Sequence, residues 1–201
     1  MNSNLKGALM CFLEDETVAS SMAETLTLAS KGLISYEEVS EQCGENAEDV
    51  VLVALQWRLL LPVRAIRCME WDDRLLVIDP GETYAMPNVV KWLVDHANDT
   101  GEWSPDHALT MLFDTMGDPF YRHIPQLVER LITRAQNHRI SAAKIIECCR
   151  DVGLSDRVDS LIAELKGSGV MSPRLGPLAD VVNARGGPIY ELNPCLAHKT
   201  S

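Results

Sequence analysis

The sequence predicts a mainly α-helical protein with small β-hairpins, built as two copies of one unit joined by a helical spacer. Three observations carry this. Apolar residues recur at helical spacing along much of the chain, as in Val89, Val90, Leu93, Val94 and Ala97. Short runs rich in Val, Ile and Leu, bounded by Gly, Pro and Asp, read as hairpin strands. The same grammar also occurs twice. Ile34-Ser35 and Ile140-Ser141 each open a segment, and Cys43 and Cys149 each stand nine residues after their Ile. A Pro-containing strand then follows the second helix of each copy. The separation of about 106 to 111 residues marks a duplicated domain rather than a solenoid of short repeats.

In chain order, Leu5 to Leu13 reads as a short helix and Glu16 to Lys31 as a longer one, its acids at the end the helix dipole favours. Ser35-x-x-Glu38 has the capping-box pattern, and Asn46 is expected to cap a helix running to about Leu60. Val63 to Glu70 and Arg74 to Asp79 read as strands joined at Trp71-Asp72-Asp73, the second being the return strand of the first copy. Pro87 and Ser104-Pro105-Asp106 start the spacer helices. Pro125 begins the first helix of the second copy, with Leu127, Val128, Leu131, Ile132 and Ala135 as its apolar stripe. Ile140-Ser141 starts a helix to about Asp151, and Ser155 starts another to about Gly167. A two-stranded hairpin closes the copy through Met171 to Arg174 and Pro188 to Leu192. These signals place an acidic N-terminal domain at residues 1–86, the spacer at 87–121 and the C-terminal domain at 122–201.

Charge is uneven. The net charge is −11, but residues 1–121 carry −14 and residues 122–201 carry +3. The first half repels phosphate and the second tolerates it. The early apolar run Ala8 to Leu13 is too short for a signal peptide or a membrane span, so a cytoplasmic location without membrane partners is expected. The six cysteines include no Cys-x-x-Cys pair and none at zinc spacing from a His, so no metal site is expected. No Gly-rich phosphate loop or nucleophile motif occurs, and the five histidines are scattered. The expectation is a protein without cofactors, catalytic residues or enzymatic activity.

The two second helices differ. Val50 to Leu55 is apolar all the way round, which predicts burial within the chain or across a dimer. Val50, Val53 and Trp57 are therefore candidate protein-interface residues. Around Val158, Leu161, Ile162 and Leu165 the second copy is amphipathic and keeps a polar face.

Helix, turn, helix and hairpin in this order resemble the winged-helix superfamily, arranged in tandem over roughly residues 16–80 and 122–194. The resemblance implies that the second helix and hairpin of a copy meet a partner, most often DNA. On that basis Ser155, Arg157, Ser160, Arg174 and Arg185 are the candidate nucleic-acid contacts, with Arg174 and Arg185 at the hairpin suited to phosphates. The expected function is a regulator whose C-terminal domain binds DNA and whose N-terminal half mediates dimerisation or partner binding. The alternative is an acidic interaction scaffold that binds no DNA. Acidic tandem winged-helix proteins such as the kleisin-binding subunits of bacterial condensins use the fold to bind proteins. A contiguous positive face over Arg157, Arg174 and Arg185 would favour DNA.

Overall fold

The structure is a computed structural model that describes residues 3–63, 78, 80–174 and 187–200. Over these residues it is mainly helical, with two small antiparallel sheets. The first unit begins with α1 (Ser3–Leu9) and α2 (Glu16–Ala29), continues through β1 (Ile34–Ser35), α3 (Tyr36–Cys43), a 3₁₀ turn (Gly44–Asn46) and α4 (Ala47–Gln56), and ends with β2 (Leu61–Pro62) and β3 (Thr83–Ala85). Next come α5 (Asn88–Thr100) and α6 (Pro105–Thr115). The second unit follows with α7 (Ile124–Arg134), β4 (Arg139–Ser141), α8 (Ala142–Asp151), a 3₁₀ turn (Ser155–Arg157), α9 (Val158–Gly167), β5 (Met171–Pro173) and β6 (Ile189–Leu192).

The repeat extends to the register of the sheets. Both have the third strand in the middle, β1-β3-β2 and β4-β6-β5. Ile34 and Pro62 both pair with Tyr84, and Ile140 and Pro173 both pair with Tyr190. A shift of 106 residues carries Ile34, Cys43 and Tyr84 onto Ile140, Cys149 and Tyr190. A shift of 111 carries the segment from Gly44 to Pro62 onto Ser155 to Pro173. The second unit thus has five extra residues between its paired helices, and the first has five more between its last two strands.

The strand that pairs with both β1 and β2 in the first unit is Thr83–Ala85, while the expected strand Arg74 to Asp79 lies, apart from Ile78, outside the described residues. Residues 64–77 and 79 lie outside the described residues, and Ile78 belongs to no strand. Each hairpin is also joined by a third strand, β1 or β4. At two or three residues these are too short to show alternation in sequence; their Ile faces the core and their Ser caps the next helix.

Local chemistry explains the helix ends. The Ser35 hydroxyl accepts from the Glu38 backbone N–H, and the Glu38 carboxylate accepts from the Ser35 N–H at 2.7 Å, the expected capping box. Ser141 caps α8 by accepting from Lys144. Asn46 makes no such bond; the 3₁₀ turn satisfies the start of α4 instead.

One apolar core runs through both units and the helices between them, from Leu5 to Leu196. The units meet through matching parts. Asn193, following β6, donates its side-chain amide to the carbonyls of Arg58 and Gly169, each at 3.2 Å. Those two residues occupy equivalent turns, after α4 and after α9. Pro87, following β3 at the place matching Asn193, lies so close to Gly169 that an added Cβ would sit 2.5 Å from the proline ring.

Candidate interaction surface

In each unit the paired helices and the turn between them leave one face to solvent. On the first unit that face carries Glu37, Glu38, Glu41, Glu45, Glu48 and Asp49, all exposed. From Gly32 to Trp57 the chain has no Lys or Arg. Their equivalents on the second unit are Ala143, Lys144, Glu147, Asp156, Asp159 and Ser160. The face is strongly acidic in the first unit and mixed, still net acidic, in the second. Neither is a basic stripe of the kind that neutralises phosphates.

The expected contact residues are dispersed in role. Ser155 and Ser160 are exposed, and the Ser160 hydroxyl donates to the Arg157 carbonyl at 3.0 Å. Arg157 faces inward to other groups. Its guanidinium donates to Asp118 at 2.5 Å and to both Glu164 oxygens at 3.1 and 3.2 Å, and it lies over the Phe120 ring. Arg174 is half-buried just after β5, its backbone N–H donating to Ile189. Arg185 lies outside the described residues.

Val50 is fully buried in the chain's own core, with Val51, Ala54 and Leu55, while Leu52 and Val53 are half-buried. Trp57 is half-buried in an aromatic cluster, its ring centroid 4.9 Å from both Phe12 and His198. Phe12 also meets Trp103, which is buried and donates its indole N–H to the Cys195 carbonyl. Burial in this cluster lowers the His198 pKa. Cys149 is buried on α8, and Cys43, equivalent on α3, is half-buried with its thiol 3.3 Å from the Thr25 hydroxyl.

Sequence reading missed Asp118 and Glu164 as partners of Arg157. Asp118 announces itself only as part of a Gly-Asp-Pro helix breaker, and its role depends on a contact 39 residues away. Among the described residues no group of three or more His, Cys, Asp or Glu is placed to hold a metal, and no helix is long and apolar enough to cross a membrane.

A protein-family model matches residues 3–200, both units together. The chain belongs to that family. No curated protein and no solved structure matches it. The match spans both units and the helices between them, as the continuous core does.

Proposed function

We propose that this chain is a non-enzymatic, cytoplasmic tandem winged-helix protein that acts by holding a protein partner on the acidic α3–α4 face of its first unit. The observation that carries the reading is the charge of that face. In a winged helix it is the surface that would meet DNA, and here it presents six carboxylates and, among the described residues of α3 and α4, no cation. Like charge against a phosphate backbone opposes association, whereas a basic protein segment is steered toward it. Arg157, the cation that would best serve the second unit's polar face, is committed to two carboxylates. The reading therefore favours the interaction scaffold over the DNA-binding regulator.

A photo-reactive residue in place of Glu48, expressed in the native cell, tests this directly. The expected adduct is a protein, insensitive to nuclease and lost when Asp49 is replaced by Lys. Fluorescence anisotropy on duplex DNA at several salt concentrations supplies the opposing outcome. Low-salt binding that weakens in the Arg174→Ala, Arg185→Ala double variant would overturn the scaffold reading and restore the DNA regulator. Light scattering on the same samples reports whether the partner is a second copy.

A further inference from the structure

Asp118, in the turn after α6, has a side chain only 3% exposed. Its Oδ1 accepts from the Phe120 backbone N–H at 2.8 Å and from Arg157 at 2.5 Å. Its Oδ2, equally shielded, accepts no hydrogen bond. A buried carboxylate oxygen without a donor is costly. Arg157 also holds Glu164, so two carboxylates converge on one guanidinium. With both ionised, the cluster carries an uncompensated negative charge and Oδ2 stays unsatisfied. Glu164 lies within hydrogen-bonding reach of Asp118, so one proton on it removes the excess charge and supplies the missing donor.

We propose that Glu164 keeps a proton facing the Asp118 carboxylate, and that this proton controls how firmly α9 is held to the turn that follows α6. The arrangement is independent of the partner reading above. Burial raises the Glu164 pKa and the Asp118 charge adds to that, against the opposing pull of Arg157. Arg157, from the turn before α9, and Asp118, from the turn after α6, are the charged groups acting on it. Because the folded pKa is raised, the stabilisation is complete below the ordinary Glu range. It is lost as pH rises through the raised value of Glu164. Deprotonation leaves two like charges beside one cation and loosens the start of α9, where Ser155 and Ser160 are exposed. Among its described residues the first unit has no such device. The equivalents of Arg157 and Glu164 are Asn46 and Val53, and the 106-residue shift carries Phe12 onto Asp118.

The test is a carbon-13 NMR titration of the Glu164 carboxyl in the full chain, read beside amide hydrogen exchange of α9. Glu164 should titrate above free Glu, and protection across α9 should fall through the same midpoint, by roughly tenfold for each unit of elevation. Glu164→Gln offers Asp118 a permanent N–H donor and should hold α9 at its acid-form protection at every pH. Asp118→Asn removes the like charge and should lower the Glu164 midpoint. A Glu164 midpoint at the ordinary value, or one unmoved by Asp118→Asn, would overturn the proposal. So would wild-type pH dependence retained in Glu164→Gln.

Discussion

Where the first unit turns from α4 toward β2 it places Arg58 in the left-handed region, with φ of 53°; the second makes the equivalent turn with Gly169, at 80°. Glycine adopts that conformation without steric cost, and Gly169 also has to clear Pro87. Arginine gains nothing from the backbone there, so its side chain must supply the compensation. One terminal nitrogen of Arg58 donates to the Leu55 carbonyl at the end of its own helix. The rest of the guanidinium reaches across to Glu191 on β6, at 3.0 and 3.3 Å, with both side chains nearly buried. The same turn therefore serves close packing in the second unit and an ion pair between units in the first. Equivalent backbone positions in a duplicated fold can take on different work once the copies share an interface.

That contrast is sharpest at Arg58. Arg58→Ala should cost about 3–5 kcal/mol, because it leaves Glu191 buried without its cation. Arg58→Gly should recover about 1 kcal/mol of that loss, since it relieves the backbone while still removing the pair. Urea unfolding measures both; equal losses would mean that the left-handed turn carries no strain. Gly169→Ala comes next, at about 1–3 kcal/mol by the same measurement, as its methyl group meets Pro87 in an unfavourable conformation. A neutral result would show that Pro87 moves aside freely.

Smaller effects separate the helix starts. Ser35→Ala should destabilise by about 1 kcal/mol, and Ser141→Ala by less, because only Ser35 has the reciprocal Glu38 bond. Calorimetry on both variants reads the difference, and a larger loss at Ser141 would reverse the ranking. Glu48→Lys with Asp49→Lys should change stability by under about 0.5 kcal/mol, as both side chains are exposed, yet abolish partner capture. Unfolding and cross-linking on one preparation distinguish the two readouts.

The order of elements in both units was legible because it rests on local rules: the Ser35 cap, the Pro87 and Pro105 helix starts and the apolar stripe of α7. The first unit's closing strand was not. Thr83–Ala85 is too short to show alternation in sequence, and only pairing with β1 and β2 reveals it, with Tyr84 between Ile34 and Pro62. Arg157 shows the same limit at the surface. Its position on a polar flank was readable, but its two carboxylate partners come from the turn after α6 and from two turns further along α9. Charge at the α3–α4 face was readable because six acids without a cation need no tertiary context to be acidic.

Asn193 joins the equivalent turns of the two units through one side-chain amide, and it is 1% exposed. Asparagine side chains in general are subject to chemical ageing. Hydrolysis to aspartate would set a carboxylate against two carbonyl oxygens that both require a donor. The usual route begins with attack by the next residue's backbone N–H on the side-chain carbonyl. The next residue is Pro194, whose nitrogen carries no hydrogen. The join between the units is thereby closed to the reaction that would convert its donor into a repelling charge.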